Sequence, residues 1–303
     1  MKLDFQSLSS SRFGVNLALW IGRTMPPVLS YRIANFGANL LAKRDNAMTQ
    51  AIRANQWVIR GENSSPEELD QAVREVFQHA GRGFADLYHN LMNPEGIKRL
   101  CPLTASIEKL LEINQPDTPG AFIVAPHLSA FDIALLALAY HGLRGKVLTY
   151  GNPPGGYELQ NEIRASTGLE ITPVLGEETH LEAIEYMRQG GAVITAVDRP
   201  IRKKAHTLTF FGRPSPLPAG HIRMALEADM PVIIAAAQMT EAGKYRINIS
   251  DPIPMVPHSD PDIEIRQNAE AVLKAIEEFI RLEPGQWLMY YPAWPEVMMN
   301  GER

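Results

Sequence analysis

Residues 121–132 read AFIVAPHLSAFD, an apolar run that ends at a proline and is followed by a histidine. Short runs rich in β-branched and aromatic residues are typical of strands buried on both faces of a sheet. The sequence beyond it, from about residue 129 to 142, has the composition of a helix. A buried strand that leads directly into a helix is the repeating unit of α/β proteins, so this stretch predicts that fold class.

The same alternation continues through the rest of the chain. Further buried strands are predicted at 146–150, 171–174, 192–197 and 231–239, separated by helices near 129–142, 157–168, 178–190 and 219–229. Two segments alternate in polarity as edge or antiparallel strands do, 207–211 and 244–250, and a last helix is expected over 262–282. We therefore expect a mixed, mostly parallel central sheet flanked by helices.

Helical signals dominate the first 115 residues or so. Helices are predicted over 12–24, 28–54 and from Ser65 to about His89 or Met92, where Ser65 and Glu68 form a capping box around Pro66. No linker or repeat interrupts the chain. We expect one domain over 1–303, in which 1–115 is a helical N-terminal part and 116–303 is an α/β core.

Charge is unevenly distributed along the chain. The 303 residues carry a net charge of −5, which argues against nucleic acid as a partner, yet residues 1–60 contain eight basic and two acidic side chains. These residues are therefore +6, and the remainder is −11. Arg23, Arg32 and the pair Pro26-Pro27 interrupt the apolar segment from Phe13 to Leu41, which is too broken to span a bilayer. A helix pair in the lipid interface and an ordinary amphipathic pair packed on the core both fit this pattern.

The strongest candidate for chemistry is the pair His127 and Asp132. Nucleotide-binding glycine motifs, the nucleophile elbow and the zincin motif are absent, and the histidines lack metal-ligand spacing. His127 follows a buried strand, where open α/β sheets bind ligands. With His127 in the turn and Asp132 in the first helical turns, we expect the carboxylate to fold back onto the imidazole, which would orient a general base. A structural histidine is the ordinary alternative.

The His127-x4-Asp132 spacing resembles the HxxxxD motif of the glycerolipid acyltransferase superfamily. The rest of the chain resembles one branch, the bacterial lipid A biosynthesis (lauroyl/myristoyl) acyltransferases with the mycobacterial phosphatidylinositol mannoside acyltransferases. The matching segments are Asn161-Glu162-Ile163-Arg164 with Gly168, Met187-Arg188-Gln189-Gly190-Gly191, Val197-Asp198-Arg199, Phe210-Phe211-Gly212, Pro218-Ala219-Gly220 and Pro284-Gly285-Gln286-Trp287. Glycerolipid enzymes often have Glu-Gly-Thr-Arg near the Asp198 position, whereas this chain has Val197-Asp198-Arg199-Pro200. This difference points to the glycolipid branch.

The resemblance implies a membrane-associated O-acyltransferase. His127 would be the general base and Asp132 its partner, while Arg164, Asp198 and Arg199 would bind substrate. No metal or bound cofactor is implied: an acyl-CoA or acyl carrier protein thioester is the co-substrate, and a glycolipid or phospholipid is the acceptor. The expected location is the cytoplasmic face of the inner membrane, as a peripheral or monotopic protein. Acylation of a lysophospholipid or an aminolipid, and non-catalytic lipid binding by the same fold, are the alternatives.

Several side chains have a second interpretation. Arg164 suits an anionic substrate group or a surface salt bridge with Glu162 or Glu170, and Asp198 needs a buried partner, for which Arg164 and Arg199 are candidates. Cys101 and Ser129 are conceivable acyl carriers, although the resemblance implies direct transfer. Two groups of side chains have two interpretations each. One either steers phosphate groups or is a solvated loop: Arg199, Arg202, Lys203 and Lys204. The other either rests on the membrane interface or packs as an aromatic cluster: Trp287, Tyr290, Tyr291 and Trp294.

Overall fold

The computed structural model describes residues 20, 22, 24–115, 118–129, 131–151, 158, 161–162, 164–201 and 206–299. Most of the helix predicted over 12–24, including Arg12 and Arg23, lies outside these residues, although Trp20, Gly22 and Thr24 are helical. Arg202, Lys203 and Lys204 also lie outside them.

Helices form the N-terminal part of the chain. They are α1 (Pro27–Ala42), α2 (Ala47–Arg60), α3 (Pro66–Asn90), α4 (Pro94–Leu100) and α5 (Ala105–Glu112). The capping box of Ser65 and Glu68 at the start of α3 is confirmed. The single helix predicted over 28–54 is wrong, because Asn46 adopts an extended conformation and caps α2 in a second capping box with Thr49.

A six-stranded sheet follows, and the predicted α/β class with a mostly parallel sheet flanked by helices is confirmed. Its strands are β1 (Ala121–Val124), β2 (Gly145–Tyr150), β3 (Glu170–Val174), β4 (Ala192–Thr195), β7 (Val232–Met239) and β8 (Tyr245–Ile249), in the order β3-β2-β4-β1-β7-β8. Only β8 pairs antiparallel, at one edge. The prediction that residues 171–174 are buried on both faces is wrong, because β3 is the opposite edge strand and Glu170 and Pro173 are exposed.

A two-stranded hairpin stands apart from this sheet. β5 (His206–Phe210) was expected as an edge or antiparallel strand, and it pairs antiparallel with β6 (Arg213–Leu217). The sequence of β6 gave no strand signal, because Pro214 and Pro216 lack the N–H group that a central strand needs. In a two-stranded ribbon each strand has a free edge, so the prolines are tolerated there.

Helices cover both faces of the sheet. The connecting and C-terminal helices are α6 (Phe131–Tyr140), α7 (Glu177–Arg188), α8 (Gly220–Ala228), α9 (Pro261–Leu282) and α10 (Pro295–Met299). Phe122 and Val124 of β1 belong to the core beneath α7, α8 and α9, whereas Ala121 and Ile123 belong to the core that contains α4, α5 and α6. This alternation follows from the two-residue period of a strand.

A buried carboxylate fastens α1 to the body of the protein. Asp86 of α3 accepts hydrogen bonds from Tyr31 of α1, from Tyr245 of β8 at 2.6 Å and from Arg82 at 2.9 Å. Burial and the neighbouring Asp86 raise the pKa of Tyr31 to about 12, so that its hydroxyl remains a donor even in moderately alkaline solution. Arg82 also stacks on the Tyr31 ring, 3.6 Å from its centroid. One side chain thus joins α1, α3 and the edge of the sheet.

Replacing this carboxylate should destabilise the protein strongly. In Asp86→Ala, buried tyrosine hydroxyl and guanidinium groups lose their acceptor, so we expect the free energy of unfolding to fall by about 2–4 kcal/mol. Denaturant titration followed by circular dichroism measures this. The matched control is Asp70→Ala on the same helix, where Asp70 is 51% exposed and pairs with Arg53. The control should lose less than about 1 kcal/mol, and equal losses would contradict the assignment.

Candidate active site

The register of two parallel strands brings His127 and Asp198 together. Val124 of β1 is paired with Thr195 of β4, and both chains continue for three residues beyond this pair. His127 Nδ1 then lies 2.7 Å from Asp198 Oδ1, and the His127 backbone N–H donates to Asp198 Oδ2 at 2.9 Å. Because the carboxyl ends of parallel strands share one edge of the sheet, the pair lies where α/β proteins bind ligands.

Asp198 is a fully buried carboxylate with three donors. Besides the two His127 groups, the indole Nε1–H of Trp287 donates to Asp198 Oδ2 at 2.8 Å. Burial alone would raise the pKa of the Asp198 carboxyl, but the charge and hydrogen bonds of His127 and the hydrogen bond from Trp287 outweigh it, so the pKa is lowered. Asp198 is therefore ionised at neutral pH. It has neither of the partners that we predicted for it, Arg164 and Arg199.

The hydrogen bond predicted between Asp132 and His127 is wrong. Asp132 Oδ1 instead accepts from Arg164, from Nε at 2.9 Å and from Nη2 at 2.6 Å. The physical reason is that the nearly buried guanidinium requires a carboxylate, while the position beside the imidazole is already filled by Asp198. Asp132 thus joins the first turn of α6 to the helical residues around Arg164.

Arg164 is engaged by protein groups on three of its nitrogens. Its Nη1 donates to Asn161 Oδ1 at 2.8 Å, in addition to the two bonds to Asp132. The surface salt bridge predicted for Arg164 with Glu162 or Glu170 is wrong, because Arg164 pairs with Asp132 and Glu170 pairs with Lys146. Direct binding of an anionic substrate group by Arg164 remains a prediction.

Arg199 differs from Arg164 in having no carboxylate partner among the described residues. Its guanidinium carbon lies 4.1 Å from the centroid of the Tyr291 ring, and within the described ranges no ion pair to Arg199 is found. The side chain is half-buried and directly follows Asp198 in the chain. A guanidinium that is stacked on an aromatic ring beside a candidate base, with no ion pair inside the described part of the chain, is suited to hold an anionic group.

A C-terminal segment lies across the turn that carries His127. Leu288 N–H donates to the His127 carbonyl at 2.8 Å, Trp287 forms an isolated antiparallel bridge with Leu128, and Ser129 Oγ donates to Gln286 Oε1 at 3.0 Å. Gln286 also bonds both backbone groups of Met239, at the end of β7. Three consecutive residues, 286–288, therefore hold three consecutive residues, 127–129. We call residues 286–288 the closing segment.

The hydrogen bond from Trp287 to Asp198 is not predictable from the sequence alone. The interfacial interpretation does not hold for Trp287 and Trp294, which are each 1% exposed and pack together with Phe210. The alternative, a packed aromatic cluster, is confirmed for these two residues. The only signal available was the resemblance of the segment around Trp287 to the end of known acyltransferases, which says nothing about its partner.

The two candidate acyl carriers are poorly placed for that role. Cys101 is buried and burial raises the pKa of its thiol to about 12, so the reactive thiolate is not formed at neutral pH. Ser129 is buried, and its hydroxyl proton is donated to Gln286. His127 is different: its side chain is 22% exposed, and its Nε2 has no hydrogen-bond partner among the described residues. Across those same residues, no cluster of three or more potential metal ligands occurs.

The arrangement provides an oriented base. Since the ionised Asp198 can only accept hydrogen bonds, we assign the Nδ1 proton of His127 to the bond between them, which leaves the lone pair of a neutral imidazole on Nε2. Nε2 is the atom through which His127 can take a proton from a substrate. The geometry is that of a histidine–carboxylate pair in which the carboxylate fixes the tautomer.

Two curated acyltransferases are similar to this chain over part of its length. The phosphatidylinositol mannoside acyltransferases of Mycobacterium tuberculosis strains CDC 1551 / Oshkosh and ATCC 25618 / H37Rv are each 24% identical to this chain over 187 residues. The aligned region covers 61% of this chain and 57% of the mycobacterial proteins, so the chain matches somewhat over half the length of these relatives.

A family match extends further along the chain. The bacterial lipid A biosynthesis acyltransferase family matches residues 4–296, a range that contains His127, Asp198, the pair of Asp132 and Arg164, and the closing segment. The resemblance inferred from the motifs is confirmed: this chain belongs to the bacterial lipid A biosynthesis acyltransferase family.

Proposed function

We propose that this protein is a membrane-associated O-acyltransferase that moves a fatty acyl group from a thioester to a hydroxyl group of a bacterial glycolipid. The observation that carries the proposal is the contact between His127 Nδ1 and Asp198, on a partly exposed ring whose Nε2 has no hydrogen-bond partner in the described part of the chain. A glycolipid acceptor is supported by the family, named for lipid A biosynthesis, and by the mycobacterial relatives, named for phosphatidylinositol mannoside.

In the proposed reaction, His127 takes up one proton and later returns it. His127 Nε2 removes the proton of the acceptor hydroxyl as the oxygen attacks the thioester carbonyl, and Asp198 stabilises the imidazolium that forms. The carbon–sulfur bond then breaks, an ester is formed, and the imidazolium returns the proton to the leaving thiolate. The acyl-CoA or acyl carrier protein donor provides the only activated bond that the transfer needs.

Asp132 and Arg164 act on this reaction indirectly, through the position of the turn that carries His127. Their ion pair connects the beginning of α6 with the helical residues 161, 162, 164 and 165, and α6 follows directly on the turn that carries His127. Nε–H and Nη2–H of Arg164 both donate to the same oxygen, Asp132 Oδ1, and such charge-assisted hydrogen bonds are short and directional. We propose that Asp132 acts through Arg164 by fixing this turn, and that Arg199 is the residue that meets an anionic group of the substrate.

Removing the base or its partner should abolish most of the activity. We expect His127→Ala to lower the transfer rate about 10³-fold and Asp198→Asn about 10²–10⁴-fold, since an amide can hold the wrong tautomer of the ring. Transfer of a radiolabelled acyl chain to phosphatidylinositol mannoside measures both. His206→Ala is the matched control, because His206 is exposed on β5. Full activity of His127→Ala would refute the mechanism.

A second prediction concerns the anionic group. Arg199→Gln should raise the KM of the phosphate-bearing substrate on the order of tenfold and change kcat little, because a charged hydrogen bond is lost from binding. Steady-state kinetics with acyl-CoA and with the acceptor lipid varied in turn identify the substrate concerned. Arg246→Gln, at an exposed position of β8, is the control. An unchanged KM for both substrates would exclude the role.

Membrane association is proposed to occur through α1. Leu29, Ile33, Phe36 and Leu40 recur at helical spacing on one face of α1 and are between 44% and 72% exposed. Arg32, Lys43 and Arg44 are exposed beside this stripe, and α1 contains no acidic residue. No helix in the described ranges is both long enough and apolar enough to cross a bilayer. An apolar stripe flanked by cations fits an anionic bilayer surface, with residues 1–115 as the membrane-associating part.

Polar substitutions in this stripe should weaken vesicle binding. We expect Ile33→Ser with Phe36→Ser to reduce partition into phosphatidylglycerol-containing vesicles at least tenfold, since two apolar side chains lose their burial in lipid. Co-sedimentation measures the partition. The control pair is Val256→Ser with Ile263→Ser, two exposed apolar residues that lie outside α1, after the segment in which Ile253 bridges to Val232 at the beginning of β7. If both pairs lose binding equally, α1 is not the docking surface.

A further inference from the structure

The Asp198 carboxylate has no freedom to turn while its three donors are in place. Oδ1 receives the His127 ring N–H, and Oδ2 receives both the His127 backbone N–H and the Trp287 indole N–H. The residue is 0% exposed, so water cannot replace a lost donor. The indole is the one donor of the three that does not belong to His127, and it therefore fixes the carboxylate independently of the base.

The indole itself is rigidly held. The Trp287 ring packs against Phe210 and Trp294, with centroids 6.0 and 6.1 Å apart. Its backbone is bridged to Leu128, and the next residue, Leu288, donates to the His127 carbonyl. The neighbouring Trp294 is equally buried, but its Nε1–H donates to the backbone carbonyl of Phe210 at 3.0 Å. Two tryptophans of one cluster thus have different partners, of which only one is a candidate catalytic group.

We infer that Trp287 is a positioning residue of the acyl transfer, which acts by holding the Asp198 carboxylate in the orientation that fixes the tautomer of His127. This inference rests on the proposed function. It assigns to the closing segment a part in the chemistry in addition to its part in packing. Trp287 does not touch the reacting atoms, and its effect passes through Asp198 alone.

A double-mutant cycle separates this role from simple packing. With hexadecanoyl-CoA as donor and phosphatidylinositol mannoside as acceptor, Trp287→Phe should lower kcat on the order of tenfold with little change in either KM. In an Asp198→Ala background the same substitution should change kcat less than twofold, because its target is gone. Trp294→Phe should leave kcat within twofold of wild type in both backgrounds. Equal losses from Trp287→Phe in both backgrounds would overturn the inference.

A spectroscopic measurement tests the contact without relying on activity. In nitrogen-15-labelled full-length protein, the indole N–H resonance of Trp287, assigned from the spectrum of Trp287→Phe, should move when Asp198 is changed to Asn, whereas that of Trp294 should not. If Trp287→Phe does not fold, benzothienylalanine at position 287 removes the N–H and keeps the ring. An unmoved Trp287 resonance overturns the inference. Absent transfer by the wild-type protein would instead refute the proposed function, and the resonance would still decide the contact.

Discussion

The parallel pairing of β1 with β4 is the constraint on which the site depends. Its register sets Val124 beside Thr195, and equal extensions of three residues then set His127 beside Asp198. A shift of one residue would turn alternate side chains to the other face of the sheet and separate the two groups. The buried alternation of Phe122 and Val124 against Ala121 and Ile123 opposes such a shift, because it would move each set into the wrong core.

Three distant parts of the chain complete the site. The imidazole comes from the end of β1, the carboxylate from the end of β4 some seventy residues later, and the indole from the closing segment, close to the end of the described chain. None of the three is stable alone in its observed state. A buried carboxylate without donors is costly, an indole N–H in an apolar cluster needs an acceptor, and an imidazole base needs a fixed tautomer. The imidazole and the indole supply the donors that the Asp198 carboxylate needs, and the carboxylate accepts from the indole and fixes the tautomer of the imidazole.

The sequence was most informative where structure depends on neighbouring residues. The capping box at Ser65, the strands around β1 and the candidate His127 all follow from local patterns of polarity and hydrogen bonding. The strand order does not, because β1 and β4 become neighbours only when the chain is folded. For this reason the five-residue spacing to Asp132 pointed to the wrong carboxylate, and the indole bond of Trp287 could not be predicted. The ion pair of Asp132 with Arg164 was hidden for the same reason.

The fastening of α1 through Asp86 has a mechanical consequence. Tyr31, Arg82 and Tyr245 converge on one buried carboxylate, so α1 cannot swing independently of the sheet edge at β8. On the proposed docking, the angle between the bilayer plane and the sheet is then a fixed property of the fold. The height of His127 above the lipid is fixed with it. On that docking, His127 would reach only those acceptors whose hydroxyl groups project from the membrane to the same height.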